Sequence, residues 1–516
     1  MINGTVASPL AWRILITALL MFWSTAPVIA SARPNIVFIL ADDLGYGDLT
    51  CYGASDIHTP NIDRLAKEGI RFTEYYSAAN TCSPSRAALM TGRYPPRTGV
   101  NAVLAYDTVE GLPLEEVTLA EMLKDAGYTT AMVGKWHLGQ VEAFMPWRQG
   151  FDSFFGTATS NDDNNFFLYE STGTQYRRIR QRVEQTQLLQ QYTTHAVQFL
   201  QQHAQDPKPF FLYLAHNAPH VPLHPNQRFA GSSKRGVYGD VVQELDDSVG
   251  QLLSTLRELH LDEDTLVVFS SDNGGWRTMR NLGGSNGLLR EGKLTTFEGG
   301  HRVPALARWP AHAVAGLVNV QMATMMDWFP TLGHLAGGRL PEDRVIDGRD
   351  LTAVLNGTGQ RERTPFFYFA LRPPHEDQHY LLAGVREGQW KYQTSQRGYY
   401  PQFLEPLVKV GLYYHGELLF DLEKDPGEQH NVIDEHRDAA RHLKQLMQEF
   451  VANNPMPEPV NVEAAKADEA GWHILWIGIA EAVLLVIGSV ALSVWAVVRL
   501  IRHYRSKFHN SESGNM

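Results

Sequence analysis

The run Asn35-Ile36-Val37-Phe38-Ile39-Leu40-Ala41 is apolar with no alternation, and it stops abruptly at Asp42-Asp43. A short β-branched run of this kind reads as a strand buried on both faces, the pattern of a parallel sheet. The pattern recurs three times. Tyr128 to Val133 leads into Gly134-Lys135-Trp136-His137, and Phe210 to Ala215 leads into His216-Asn217-Ala218-Pro219-His220. Thr265 to Phe269 leads into Ser270-Ser271-Asp272-Asn273-Gly274-Gly275. Helical periods lie between these runs. Thr59-Pro60 opens one, with Ile62, Leu65 and Ala66 on one face and Gly69 near its end. Thr118 and Glu121 form a capping box before Met122 and Leu123, with Gly127 as terminator. Asp240 to Leu259 places Val241, Val242, Leu245, Val249, Leu252, Leu253 and Leu256 at helical spacing. Repeated strand–helix–strand units predict an α/β fold with a central, mostly parallel sheet covered by helices.

After about residue 350 the texture changes. Tyr380 to Arg386, Trp390-Lys391-Tyr392 and Glu417 to Leu422 read as short strands, and Asp434 to Val451 as an amphipathic helix. A small C-terminal α+β subdomain is expected over 351–452, after a catalytic domain over 33–350. At the start, residues 1–32 carry one charge, Arg13, then the apolar run Ile14 to Trp23 and Ala30-Ser31-Ala32, the form of a cleaved secretory signal. Asn453 to Glu469 is rich in Pro, Ala and acids, so 453–471 reads as a linker. Ile474 to Val498 is apolar but for Glu481, about 37 Å of helix, enough to cross a bilayer. The sequence thus predicts a transmembrane helix over 472–500 and a basic cytoplasmic tail over 501–516, with the body outside, exported and membrane-anchored in the periplasm, lumen or extracellular space.

The formal net charge of -11 and the lack of a basic tract in the body argue against nucleic acid as a partner. The chain has two cysteines, Cys51 and Cys82, and in an exported protein a disulfide between them is the plain expectation. The four polar clusters sit where open α/β sheets gather ligand sites, at the carboxyl ends of strands. Asp42, Asp43, Asp272 and Asn273 form an all-oxygen set suited to Ca2+ or Mg2+ rather than Zn2+. The plain alternative for Asp42-Asp43 is a strand-ending turn. Arg86, Lys135, His137, His220 and Lys293 add cations and proton donors, a set suited to an anionic tetrahedral group; the plain alternative for each lysine is solvent exposure.

Cys82-Ser83-Pro84-Ser85-Arg86, continuing to Gly92-Arg93, resembles the signature of the sulfatases, in which the cysteine is oxidised to formylglycine (3-oxoalanine). Four more segments resemble that family in the same order: Ala41 to Asp48, Gly134 to Gly139, Ser271 to Gly275 and Glu298 to Pro304, with Leu419 to Pro426 as a closing segment. Gly287 to Lys293 is similar to the arylsulfatase A and N-acetylgalactosamine-6-sulfatase branch. The resemblance implies an alkaline-phosphatase-like sandwich and hydrolysis of aryl or carbohydrate sulfate esters. It implies that Asp42, Asp43, Asp272, Asn273 and the modified Cys82 hold the metal. Arg86 would hold the formylglycine hydrate, and His137 would contact its second hydroxyl. Lys135 and Lys293 would grip sulfate oxygens, His220 would serve the leaving group, and Ser160 would support the substrate. A formylglycine-generating enzyme is the implied maturation partner and a sulfated small molecule or glycan the implied substrate. Loops 153–180, with Asn164, Tyr169 and Tyr176, and 371–410 are candidate pocket walls. Two alternatives remain: a phosphate or phosphonate ester hydrolase on the same fold, and a non-catalytic carbohydrate-binding protein.

Overall fold

The computed structural model describes residues 33–163, 166–179, 183–359, 364–371, 380–394 and 416–454. The strands in chain order are β1 (Asn35–Ala41), β2 (Ile70–Phe72), β3 (Tyr75–Tyr76), β4 (Thr129–Lys135), β5 (Ser153–Thr157), β6 (Leu168–Thr172), β7 (Gln175–Ile179) and β8 (Phe210–Ala215). They continue with β9 (Thr265–Ser271), β10 (Ala305–Arg308), β11 (Leu317–Asn319), β12 (Ala323–Thr324), β13 (Phe366–Leu371), β14 (Tyr380–Glu387), β15 (Trp390–Gln393) and β16 (Leu418–Asp421). The longer helices are α1 (Pro60–Glu68), α2 (Cys82–Thr91), α3 (Leu119–Asp125), α4 (Leu188–His203), α5 (Val237–Glu258), α6 (Trp328–Ala336) and α7 (Arg437–Asn453).

A ten-stranded sheet, ordered β11-β2-β10-β9-β1-β8-β4-β5-β6-β7, forms the core. Its middle, β9-β1-β8-β4-β5, is parallel; β10 on one side and the β6–β7 hairpin on the other run antiparallel. The four apolar runs are four of those five central strands. They lack polar alternation because each face meets its own core. Ile36, Phe38 and Leu40 join one cluster with Leu89 of α2 and Trp328 of α6. Val37, Ile39 and Ala41 join the other with Leu245, Val249 and Leu253 of α5. Alternate side chains of a strand point to opposite faces, so a strand between two helical layers is apolar throughout.

The capping box at Thr118 forms as read: Thr118 Oγ1 accepts from the Glu121 amide and Glu121 Oε2 accepts from the Thr118 amide. The 153–180 segment differs from a pocket-lining loop. It holds β5, β6 and β7, and Tyr176 stacks on Trp147 with centroids 4.4 Å apart. Asn164 and most of 371–410 lie outside the described residues. Beyond the large sheet, β13-β14-β15-β16 form a four-stranded antiparallel sheet. Helix α7 turns Ala440, Leu443 and Met447 inward, and its Phe450 packs 4.0 Å from Phe367 of β13.

The expected transmembrane helix, and the membrane-anchored placement drawn from it, must be corrected. Among the described residues no helix is long and apolar enough to cross a membrane. A span needs about 20 mainly apolar residues. The longest described helix, the 22-residue α5, carries Asp240, Glu244, Asp246, Asp247, Arg257 and Glu258 along its length. Residues 1–32 and 455–516, and with them the expected signal, most of the linker, the span and the tail, lie outside the described residues.

Candidate active site

Strand register brings the polar clusters together. Leu40 of β1 pairs with Ala215 of β8, Ala215 with Gly134 of β4, Gly134 with Gly156 of β5, and Ala41 with Ser271 of β9. The residues that follow therefore emerge in one row at the carboxyl edge. Two glycines keep the row tight. A Cβ on Gly134, which has φ +113°, would lie 1.8 Å from the Ala215 carbonyl oxygen, and one on Gly274 would lie 1.7 Å from that of Gly299. No side chain fits either gap, so the Gly134-Lys135 and Asn273-Gly274 steps are fixed by backbone contact.

Cys82 is the first residue of α2, after Thr81 as N-cap, so the helix points its positive end at this row. Its Sγ lies 3.5 Å from Asp42 Oδ1 and 3.5 Å from Lys293 Nζ. Arg86, one turn later, gives Nε and Nη2 to Asp272 Oδ2 at 3.0 and 2.8 Å and Nη1 to the Lys135 carbonyl at 2.7 Å. Lys135 Nζ donates to Asp42 Oδ2 at 2.6 Å and to Ser160 Oγ at 3.2 Å. Lys293 Nζ lies 2.8 Å from Asp43, which also accepts from Asn273 Nδ2 at 2.7 Å. His220 Nε2 stands 3.6 Å from Asp43 Oδ2, while its Nδ1 meets the Val221 carbonyl at 2.5 Å. His137, with φ 60°, is buried at the same edge. His216 faces away, with Nε2 3.2 Å from Ser248 Oγ. All eleven sequence-predicted site residues are thus buried at one end of one sheet.

Three carboxylates, Asp42, Asp43 and Asp272, face three cations, Lys135, Lys293 and Arg86, in a volume almost sealed from water. Burial on its own raises a carboxyl pKa; at Asp42 the effect is outweighed by Lys135, His220 and Arg86, which hold it well below the usual range. Asp272, beside Asp42 and Asp43, is pushed up to about 7 by burial. Burial also works against charge on Lys135, but Asp42, Cys82 and Asp272 together outweigh it and its pKa rises. His137 is held neutral by burial and by Lys135, and His220 is shifted down by burial and by Lys293. The Cys82 thiol is raised by burial despite both lysines, so the unmodified thiol is a poor nucleophile here.

The donor set could hold a metal ion. Ligand atoms of Asp42, Asp43, Cys82 and His220 all lie within 4.8 Å of one another. Asn273 Oδ1 is buried with no hydrogen-bond partner among the described residues, as an amide oxygen kept for a cation would be. Cys51 and Cys82 are both free, which removes the disulfide reading. Sequence reasoning missed Trp276. Its indole lies 4.4 Å from Lys293 Nζ and 5.8 Å from the His220 ring. Nothing in a Gly-rich loop signals such a contact.

A site of this build suits hydrolytic transfer at an anionic tetrahedral centre, with cations arranged to receive oxygen charge. Residues 34–338 match the family profile described as Sulfatase, and residues 292–454 match the profile N-sulphoglucosamine sulphohydrolase, C-terminal. The chain belongs to the sulfatase family and is a sulfatase, a hydrolase of sulfate esters. It is 42% identical to N-acetylgalactosamine-6-sulfatase of Mus musculus over 451 residues, covering 81% of this chain and 86% of that one. It is 40% identical to arylsulfatase A of Homo sapiens over 433 residues, covering 78% and 84%. The crystal structure of Ps i-CgsB in complex with k-i-k-neocarrahexaose superposes with a TM-score of 0.71 at 31% identity, covering 82% of this chain and 94% of that one.

Proposed function

We propose that this sulfatase removes sulfate from carbohydrates, using formylglycine made from Cys82 and a divalent cation, Ca2+ with Mg2+ as the variant. Asp42, Asp43, Asp272, Asn273 and the modified Cys82 would hold the ion. The observation that carries this reading is the meeting of a helix-N-terminal cysteine with Asp42, Asp43 and His220 ligand atoms inside 4.8 Å. Bound, the ion supplies charge stabilisation at the reacting oxygens. A hydrated formylglycine supplies two hydroxyls, one to attack sulfur and one whose later deprotonation releases sulfate.

The chain's own residues do the rest. Lys293 Nζ lies 3.5 Å from Cys82 Sγ, and Lys135 Nζ shares the Asp42 carboxylate with that thiol, so both are placed to receive sulfate oxygens. Arg86 holds Asp272 in place through its two-pronged contact and works against the burial that raises its pKa, and it steadies the hydrate. His220 has its Nδ1–H anchored on the Val221 carbonyl, so Nε2 is the acceptor nitrogen of the neutral ring; it would give a proton to the departing sugar oxygen only after taking one up to form the imidazolium. His137 serves the second hydroxyl, and Ser160 steadies Lys135. The similarity to N-acetylgalactosamine-6-sulfatase supports a sugar as the leaving group. The maturation partner is a formylglycine-generating enzyme.

The test is the mass of the tryptic peptide ending at Arg86, from protein made with that modifying enzyme. A loss of about 18 Da relative to cysteine is expected, the change from thiol to aldehyde. An intact thiol in protein that still cleaves 4-nitrophenyl sulfate would overturn the formylglycine mechanism. Turnover of 4-nitrophenyl phosphate above that of the sulfate would move the reading to the phosphate-ester alternative.

A further inference from the structure

We propose that Trp276 is the stacking wall of the leaving-group subsite, and that the site takes a sulfate ester borne on a pyranose ring of an anionic glycan. The proposal rests on the sulfatase reading above and extends it to the part of the substrate beyond sulfate. Trp276 directly follows Gly274-Gly275 and precedes the 3-10 segment Arg277–Leu282. One side of its indole meets Lys293 Nζ, 4.4 Å from the ring centroid. Its centroid is 5.8 Å from the His220 imidazole, tilted by 47°. The indole thus packs beside both the ammonium aimed at sulfate and the imidazole aimed at the leaving oxygen.

A packing role alone does not account for it. Lys293 is already held by Asp43 at 2.8 Å, and His220 by the Val221 carbonyl at 2.5 Å. The purely structural tryptophans Trp136 and Trp328 are fully buried, whereas Trp276 is half-buried. A large aromatic ring left partly wet beside catalytic groups offers a flat apolar face, which suits the C–H face of a sugar or an aryl ring and gives a flexible alkyl chain little. The same rim carries Arg277 and Arg280, both exposed, and neither guanidinium has an ion-pair partner among the described residues. Arg277 leans across Gly292, next to Lys293: a Cβ on that glycine would lie 3.4 Å from Arg277 Cγ. Two unpaired guanidiniums on a chain of net charge -11 favour a ring with further sulfate or carboxylate groups nearby over a neutral phenol or sterol.

The experiment uses full-length enzyme whose formylglycine has been verified by mass, with 4-nitrophenyl sulfate as the ring substrate and hexyl sulfate as the ringless one. Trp276→Ala is expected to lower the ratio of kcat/KM for ring over ringless substrate about tenfold, through KM, with Trp276→Phe recovering most of the ratio. The Arg277→Ser/Arg280→Ser variant is expected to weaken inhibition by a chondroitin 6-sulfate tetrasaccharide about tenfold more than inhibition by inorganic sulfate. Equal losses on both substrates, or a loss confined to kcat, would make Trp276 a positioning residue and overturn the stacking subsite. Equal weakening of both inhibitors would overturn the anionic glycan. Modified wild-type enzyme that cleaves neither sulfate would instead bring down the functional reading itself, and the subsite with it.

Discussion

Two buried charge clusters among the described residues differ in what surrounds them. The first is the row at the sheet edge, where Asp42, Asp43 and Asp272 meet Lys135, Lys293 and Arg86. The second lies at the seam between the large and small sheets. There Lys391 of β15 gives its ammonium to Glu298 at 3.0 Å and to Glu428 at 2.7 Å, and all three side chains are fully buried. Tyr76 and Tyr368 add hydroxyls to Glu298 at 2.5 and 2.9 Å, and Glu428 also accepts from the Glu298 amide at 2.7 Å. Against the cost of burial, Lys391 and Arg386 bring Glu298 down to about 2. The seam's two carboxylates are held by a lysine, two tyrosine hydroxyls and a main-chain amide. The sheet edge keeps an orphan Asn273 oxygen, a thiol at a helix N-terminus and a half-wet indole. Buried charge alone therefore does not mark a site; unused ligand capacity beside a nucleophile does.

The largest effect expected from breaking this contrast is on chemistry. On the proposed mechanism, Cys82→Ser removes the second hydroxyl on which sulfate release would depend. It should lower kcat on 4-nitrophenyl sulfate at least about a thousandfold, roughly 4 kcal/mol in the barrier. The melting temperature should stay within about 2 °C, because a buried serine hydroxyl takes the place of one hydroxyl of the proposed hydrate. Turnover within a few-fold of wild type would place the nucleophile elsewhere. At the seam the outcome inverts. Lys391→Met leaves Glu298 and Glu428 buried against each other without their shared cation, which should cost about 3–5 kcal/mol of folding stability, read from the urea midpoint. A midpoint no lower than that of Cys82→Ser would show that the seam carries no stability and erase the distinction between the clusters.

The same contrast separates what the sequence discloses from what it hides. The central strands were legible because an apolar run that ends in charge has one sensible reading, and the site followed because those charges sit at strand ends. Strands β2, β10 and β11, of three or four residues, are too short for any periodicity to show. The β6–β7 hairpin resembled a loop because Gln175 to Ile179 is polar and mostly exposed on the sheet's edge. Lys391 showed only as part of a short strand and nothing singled out Glu428, since their partner Glu298 lies 93 and 130 positions away along the chain. Trp276 was hidden for the same reason. The apolar stretch near the C-terminus invited a transmembrane reading, which hydropathy supplies without any packing information; the described fold contains no helix of that kind.

The smallest effect sharpens the comparison most, because it asks whether a cation in the reactive cluster must be aimed as well as charged. Ser160 Oγ accepts from Lys135 Nζ at 3.2 Å, while the stronger hold on that ammonium is Asp42 at 2.6 Å. Ser160 is itself placed by its amide, which donates to Asp163 Oδ2 at 3.1 Å, so the main chain stays put when the hydroxyl is removed. Ser160→Ala should therefore leave Lys135 charged and paired, yet freer to swing. A hydrogen bond of this kind contributes about 0.5–1.5 kcal/mol, so kcat/KM on 4-nitrophenyl sulfate should fall roughly two- to twelvefold. Stability, read from the urea midpoint, should hardly move. A loss approaching that of Cys82→Ser would mean that Ser160 contacts the reacting group directly; no loss at all would mean that Asp42 alone aims Lys135.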